Sequence, residues 1–436
     1  MNILSKLLAV RSLDRQFYRW DEASLHKHQL ERISRILKYA RNNSPYYRRV
    51  LSGQDKLSLS AVTKIDKKEM MEHFNEINTA GLHKDELMDF QIRQEKEGTL
   101  NLYRGKFSVG ISSGTSGNKG LTVLSPNERD MYSCLLWARN GIPQTVKDKR
   151  VLFALRTNNP AFMEVQSFGI KIVYVDYTHP TQNIINIINE QKLNIIAGPP
   201  SLLSMIARHF SSIKHRIETV ISYAEVLNED TQGELEKIFG VPMVQIYQGS
   251  EGFIGSTCRN GKLHLNEDVI FVELEDAGDT VGKAKNVVVT DLYRTTQPII
   301  RYSLNDILEI SAKRCQCGSS FRAIERIQGR ADDIFYVRGP GSETRYLFPD
   351  YVQKSIIHAS DAIIEYQAIQ HSIESIEIRL VLKEGADRAA IETAVLNNLR
   401  SWAQKAGGEL GDVYFTDALP ERNPVSKKLI RVIRAF

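Results

Sequence analysis

Cysteine is scarce in this chain of 436 residues, and four unevenly spaced thiols do not make a disulfide scaffold. Long apolar runs are missing too. No uninterrupted segment is long enough to span a bilayer. The N-terminal MNILSKLLAVRSLDRQFYRW is broken by Lys6 and Arg11 and lacks the continuous apolar run and small-residue cleavage site of a secretory signal. These absences lead us to expect a soluble, cytoplasmic protein with no membrane partner. Charge of one sign is also lacking: 57 basic residues against 52 acidic ones give a formal charge of +5, with no like-charged block that would serve as a nucleic-acid arm. A dedicated DNA or RNA binder is therefore disfavoured. What remains is ordinary globular composition, 42% apolar and 25% charged, over a length sufficient for a large core and at least two domains.

The most informative stretch is VGISSGTSGNKG at 109–120, a short apolar strand running into serine, threonine and glycine. Small hydroxyl residues between glycines let the backbone approach a polyphosphate closely, and amide and hydroxyl donors point at its oxygens. A Walker loop requires a lysine followed by Ser or Thr at the mouth of a helix. Here Lys119 precedes Gly120 and Leu121, which disfavours a P-loop GTPase or kinase.

Residues 22–42 place Leu25, Leu30, Ile33, Ile36, Leu37 and Ala40 near a helical period, ending at Asn42, Asn43 and Pro45. Residues 60–95 are polar and read as helical. From about residue 150, short β-branched or aromatic runs (RVLFALR, IKIVYVDY, LNIIAGPP, ETVISYAEVL, MVQIYQGS) alternate with amphipathic helical stretches. Such alternation predicts βαβ units, hence an α/β fold with a mostly parallel sheet covered by helices. Ligands in such sheets gather beyond the carboxyl ends of the strands, where AGPPS, YAEVL and YQGSEG fall. Residues 262–313 read as a smaller strand-rich part, and strand, helix and strand signals after Gly329 predict a small mobile α+β domain at 331–436, following a large domain at 1–330.

Three further segments follow in order: IYQGSEG at 246–252, TQPIIRYSLNDI at 296–307 and RIQGRADDI at 326–334. Together with the glycine-rich loop they resemble the adenylate-forming (acyl-CoA synthetase) superfamily. The N-terminal helix with SPYYRRV, the CQCG before residue 326 and the compact C-terminal domain look most like its phenylacetate-CoA ligase branch, and the resemblance spans essentially the whole chain.

Carried over residue by residue, the resemblance implies that Ser112, Ser113, Gly114, Thr115, Ser116 and Gly117 surround the β- and γ-phosphates. Tyr247 and Ser250 would lie at the nucleotide, with Ala224 and Glu225 in the adenine pocket. Glu251 would hold Mg2+, because a hard divalent ion on phosphate oxygens needs an anionic oxygen ligand. Asp306 would accept from the ribose hydroxyls, Arg330 would join it at the ribose or phosphate side, and Asp333 would be the hinge on which the small domain turns. LPERNPVSKKLIRVIRAF resembles the terminal lysine motif, which puts Lys428 at the catalytic position, countering charge on the α-phosphate and the attacking carboxylate. Two departures stand out. The proline usual after the glycine-rich loop is absent, leaving the role of Lys119 open, and Gln248 replaces a glycine after the tyrosine.

The cysteines make a second constellation. Cys258 and His264 in CRNGKLH, with Cys315 and Cys317 in RCQCG, offer three thiolates and one imidazole, a closed tetrahedral set suited to structural Zn2+. The alternative is an assortment of reduced thiols and a surface histidine, since Cys-x-Cys is shorter than the usual finger spacing. Cys134 reads as helix packing.

The resemblance implies an AMP-forming ligase that joins a carboxylic acid to ATP, forms an acyl-AMP and passes the acyl group to coenzyme A. Transfer to an amine, a hydroxyl or a carrier-protein thiol is the alternative, and a nucleotide-binding paralogue without catalysis is another. An aromatic acid is the family default, and homodimers are common in the branch. The acyl pocket is expected around Phe153, Arg156, Asn158 and residues 198–201.

Overall fold

A computed structural model describes residues 1–112, 120–143, 145–155, 170–176, 179–277, 283–422 and 429–436. The expected positions Ser113, Gly114, Thr115, Ser116, Gly117, Lys119, Arg156, Asn158 and Lys428 lie outside the described residues. The chain divides into two compact units. One comprises residues 1–273, 288–303 and 311–325, the other residues 274–287, 304–310 and 326–436.

The first unit opens with helices Ile3–Arg19 and Glu22–Asn43. The second is capped by Asp21, whose carboxylate accepts from the Ser24 N–H at 2.8 Å and satisfies one of the orphan donors of the first turn. Its buried stripe is Leu25, Ile36, Leu37 and Ala40. Leu30, expected on that stripe, is 55% exposed, because five residues from Leu25 carry it to the stripe's edge. The buried position one turn after Leu25 is taken by Gln29, whose amide donates to the Glu267 carbonyl at 2.9 Å.

Strands β1 (Ser108–Ser112) and β2 (Gly120–Leu124) form an antiparallel hairpin in which Ser112 faces Gly120. Val109, Leu121 and Val123 on these strands pack with Phe74, Leu82 and Leu87. The main sheet has seven strands: β3 (Lys149–Ala154), β4 (Ile170–Val175), β5 (Ile195–Gly198), β6 (Thr219–Ser222), β7 (Met243–Gly249), β8 (Gly252–Thr257) and β9 (Leu263–Leu265). They lie in the order β4-β3-β5-β6-β7-β8-β9. Pairings from β4 to β7 are parallel; β8 and β9 continue antiparallel.

The parallel strands read as continuous apolar runs because both faces are buried. Leu152, Ile196 and Val220 join one core with Ile184, Ile188 and Leu203, while their neighbours Val151, Ile195 and Ile221 point into another. Each fully buried aliphatic side chain contributes roughly 1.5–3 kcal/mol relative to exposure. The α/β reading of the sequence is thereby met, with the strand ends of β5, β6 and β7 carrying Gly198, Tyr223 and Gly249.

Strands β10 (Ile270–Asp276), β11 (Ala284–Asp291), β12 (Tyr302–Ile310) and β13 (Ile324–Arg330) form a four-stranded sheet in that order. The second unit adds the hairpin β14 (Phe335–Arg338) and β15 (Thr344–Leu347). It also holds a sheet of β16 (Ile363–Ser372), β17 (Ser375–Leu382), β18 (Asp412–Thr416) and β19 (Val432–Arg434), ordered β18-β17-β16-β19. Helices Pro349–Ile357 and Arg388–Lys405 contribute Val352, Ile356, Val395 and Leu399 to a core shared with Phe335, Ile376 and Ile378. Among the described residues, no helix is long and apolar enough to cross a membrane.

Candidate active site

Two turns of the first unit meet at one cleft. Gly120 and Leu121, on the strand that leaves the glycine-rich loop, line it together with Ser250, Glu251 and Tyr302. Glu251 sits in the tight turn between β7 and β8. Its carboxylate accepts from the Ser250 hydroxyl at 2.9 Å and folds back over Gly249, where a Cβ would stand 2.4 Å from Oε2. Gly252 has φ +152°, and a Cβ there would lie 2.7 Å from Ile270 Cδ1, so the turn requires a glycine at this position. The Tyr302 hydroxyl donates to Glu251; burial first, then the charge of Glu251 and that hydrogen bond, raise the tyrosine's pKa above its ordinary value.

Behind the cleft lies a buried polar hub on residues 291–297. The Arg294 guanidinium donates to the Ser250 carbonyl (2.5 Å), to Thr122 Oγ1 (2.8 Å) and to Gln297 Oε1 (2.8 Å). Gln297 pairs with the backbone of β2, accepting from the Val123 N–H and donating to the Leu121 carbonyl, each at 3.0 Å. Glu128, on helix Pro126–Arg139, accepts from the Thr295 and Thr296 N–H groups at 2.6 and 2.7 Å and from the Ser125 N–H at 2.7 Å. Burial alone would raise its pKa, but the donations from Thr296 and Ser125 prevail and hold it low. Burial pushes Asp291 up to about 6, although the Tyr293 and Arg294 N–H groups donate to it.

At the end of β6, Ala224 has φ +67°, a conformation that costs a non-glycine residue roughly 1–2 kcal/mol. Such strain collects at functional sites. The Glu225 carboxylate accepts from the Ser201 N–H (3.1 Å) and hydroxyl (2.9 Å) at the first turn of helix Pro200–Arg208. Tyr223 holds the ends of β3 and β5, its hydroxyl reaching the Ala154 carbonyl at 2.7 Å and the Ala197 carbonyl at 3.0 Å, and its ring stacks on Phe153. Gln248 accepts from the hydroxyl of the half-buried Tyr132 at 2.8 Å, and Tyr247 is half-buried on β7 opposite Gly255.

No family model matches the chain. Protein CapK of Staphylococcus aureus is 23% identical over 382 residues, covering 83% of this chain and 79% of that protein. The phenylacetate-coenzyme A ligase of Thermus thermophilus is 22% identical over 389 residues, covering 82% of this chain and 81% of that one. A crystal structure of 2-hydroxyisobutyryl-CoA ligase in the postadenylation state superposes over 96% of this chain and 91% of its own, with a TM-score of 0.70 at 16% identity. The chain therefore shares the fold of that ligase and is similar in sequence, over most of its length, to a phenylacetate-coenzyme A ligase.

Of the positions expected from the superfamily, the first unit holds Ser112, Ala224, Glu225, Tyr247, Ser250 and Glu251. It brings Ser250 and Glu251 into one cleft with the return strand of the glycine-rich loop. Ser112 ends β1 directly before that loop. Asp306, Arg330 and Asp333 belong to the second unit. Asp306 is half-buried on β12, Arg330 ends β13 exposed, and Asp333 closes a 3-10 turn over 331–333. Burial raises Asp333 to about 7, with Arg330 and Arg434 opposing and Asp332 adding to it. Gly329, with φ +116°, lets the chain pass Pro349, which a Cβ would meet at 2.8 Å.

Sequence reasoning missed Glu128, Arg294, Gln297 and Tyr302. A density of polar residues in DLYRTTQP between two apolar strands was the available signal.

The four metal-ligand candidates come together. Donor atoms of Cys258, His264, Cys315 and Cys317 all lie within 4.8 Å of one another. His264 is fully buried rather than a surface residue, and burial lowers its pKa and keeps the imidazole neutral. Its Nδ1–H donates to the Phe321 carbonyl at 2.8 Å, leaving Nε2 as the ligand atom. Backbone N–H groups of Asn260 and Ser319 donate to the Cys258 and Cys317 sulfurs at 3.4 Å each.

Proposed function

We propose that this protein is an ATP-dependent acid-CoA ligase. The observation that carries the reading is the shared cleft, in which the strand returning from a hydroxyl-rich glycine loop meets a tight turn presenting Glu251. The coenzyme A ligases among its relatives support the choice of acceptor.

In the first half-reaction an oxygen of the acid's carboxylate attacks the α-phosphorus of ATP. The α–β phosphoanhydride bond breaks, pyrophosphate leaves with the electron pair, and an acyl-AMP is formed. Residues 112–117 supply donors to the β- and γ-phosphates, with Thr115 among them, and Lys428 brings an ammonium to the α-phosphate, where two anions must approach. Glu251 suits Mg2+, being a carboxylate held at the cleft by Ser250 and Tyr302. Held there, the ion would supply positive charge against the phosphates.

Ala224, Glu225 and Tyr247 flank the adenine, while Asp306 and Arg330 serve the ribose. The small domain turns at Asp333, and the thiol of coenzyme A then attacks the acyl carbonyl, expelling AMP. Water exclusion protects the mixed anhydride between the two steps.

Cys258, His264, Cys315 and Cys317 suit structural Zn2+. Three sulfurs and a neutral imidazole form a soft, closed donor set, and the N–H groups on two of the sulfurs stabilise thiolate charge. Bound there, the ion would cross-link residues 258–264 to residues 315–317.

The test is ATP–pyrophosphate exchange with a panel of carboxylic acids, aromatic ones first. Acid-dependent exchange is expected, and its absence with every acid would sink the reading.

A further inference from the structure

The backbone carbonyl of Ser250 is gripped twice, by Arg294 Nη1 at 2.5 Å and by the Thr122 hydroxyl at 2.7 Å, and Arg294 Nη2 closes the triangle on Thr122 Oγ1 at 2.8 Å. Thr122 lies two residues past Gly120, on the strand that leaves the glycine-rich loop, and Ser250 immediately precedes Glu251. A single buried guanidinium, 4% exposed, thus ties the phosphate hairpin to the turn that carries the acidic side chain. Gln297 extends the tie by pairing with both neighbours of Thr122, and Glu128 fixes the hub through the N–H groups of Thr295 and Thr296.

The geometry is more specific than a core filler needs. Arg294 directs its two Nη groups at one carbonyl on the Glu251 turn, one hydroxyl on β2 and the amide oxygen of Gln297, which itself pairs with β2. A lysine has one point of charge and no planar fork, so it cannot hold the Ser250 carbonyl and Thr122 in one plane.

We propose that Arg294, acting with Thr122, is a positioning residue that sets the distance between the phosphate-binding hairpin and Glu251, so that phosphate and metal ion are bound as one unit. The proposal rests on the acid-CoA ligase reading. Loss of the tie should raise the Mg2+ concentration that ATP use requires while leaving the apparent KM for the acid in place, because the acid pocket is expected on other elements.

The experiment measures acid-dependent pyrophosphate exchange as a function of free Mg2+ for wild type, Arg294→Lys, Thr122→Val and Thr122→Ser, with thermal unfolding of each. Supporting tuning groups around metal ligands are worth about 10–100-fold in metal affinity or activity, so Arg294→Lys should need about ten-fold or more extra Mg2+. Thr122→Val should move the same way, and Thr122→Ser, which keeps the hydroxyl, should restore wild-type behaviour. Serine rescue separates positioning from packing, because valine matches the volume of threonine and serine does not. Should Arg294→Lys fail to fold, the threonine pair decides alone. A folded Thr122→Val enzyme with wild-type Mg2+ dependence overturns the proposal, as does an equal loss in Thr122→Ser. Wild-type protein inactive with every acid would instead overturn the ligase reading, a result visible before any variant is compared.

Discussion

His264 Nε2 lies 3.6 Å from the Cys317 sulfur, while the opposite ring nitrogen is committed to the Phe321 carbonyl. The imidazole therefore has one orientation and one tautomer in which to bind a metal ion. Cys258 and Cys315 complete the group with sulfurs 3.8 Å apart. Phe17 packs edge-on against both His264 and Phe321, so the cluster anchors the N-terminal helix as well as the two loops. Purified protein is expected to carry one zinc per chain by elemental analysis. Cys317→Ser should lose the metal and expose the N-terminal helices to limited proteolysis, and metal-free wild-type protein with an unchanged melting temperature would contradict a structural role.

Of the two hydroxyls that donate to Glu251, that of Tyr302 can be removed with its ring left in place. Tyr302→Phe deletes the donation that orients it and leaves the ring in place. Exchange activity should fall by about ten-fold with little change in stability. Glu251→Gln keeps the shape and removes the charge that suits Mg2+, so its loss should be larger, on the order of a hundred-fold or more. Equal, small effects of both substitutions would show that the carboxylate is not at the reacting phosphates.

The turn around Glu251 makes a backbone prediction as well. Gly252→Ala introduces a side chain at φ +152° and pushes against Ile270, a combination that costs roughly 1–3 kcal/mol. Differential scanning calorimetry should register a lower melting temperature, with exchange activity reduced in the surviving fold. Gly233→Ala, in helix Glu229–Phe239 with open space around it, is the control and should be neutral or slightly stabilising.

The fold was legible where burial leaves a periodic mark. Leu152, Ile196 and Val220 sit in unbroken apolar runs because helices cover both faces of the parallel strands, and that pattern can be read without coordinates. Ser250 and Glu251 were legible because IYQGSEG resembles a family motif, and its Gly252 takes a φ of +152° that other residues rarely adopt. Arg294 and Glu128 were not, because a sequence shows a charged residue without showing what surrounds it. An arginine between two strands reads as a solvated charge until its three oxygen partners, drawn from residues 122, 250 and 297, are known. Glu128 reads as an ordinary capping-box residue after Ser125, and only the fold shows its second oxygen bound to residues 295 and 296.

The second unit offers a pH prediction whose sign is set by one carboxylate. Donation from Arg379, then from His371 and Thr416, holds Glu377 at about 2, against an ordinary 4.5, despite the opposing effect of its burial. The unfolded chain takes up this proton first as pH falls. The stabilisation is therefore fully present above about 4.5 and disappears as pH drops toward 2, a loss on the order of 2 kcal/mol. Glu377→Gln should flatten the acid limb of the stability curve and lower the plateau above pH 5. A variant with the wild-type slope between these pH values would remove Glu377 as the cause.

Lys428 and the acyl acceptor can be separated by dividing the reaction in two. If the ammonium acts only while the acyl-AMP forms, Lys428→Ala should still bind ATP but lose exchange by about 10²–10³-fold, as expected for removing a charge aimed at a transition state. Supplied with a chemically prepared acyl-AMP, the same variant should then transfer the acyl group to coenzyme A at close to the wild-type rate. Thioester formation followed by mass spectrometry reads the outcome, with a carrier protein and a simple amine offered in parallel. Transfer to the amine but not to coenzyme A would reassign the acceptor while leaving adenylation intact, whereas an equal loss of both half-reactions would mean that Lys428 supports the fold of the small domain rather than the chemistry of the first step.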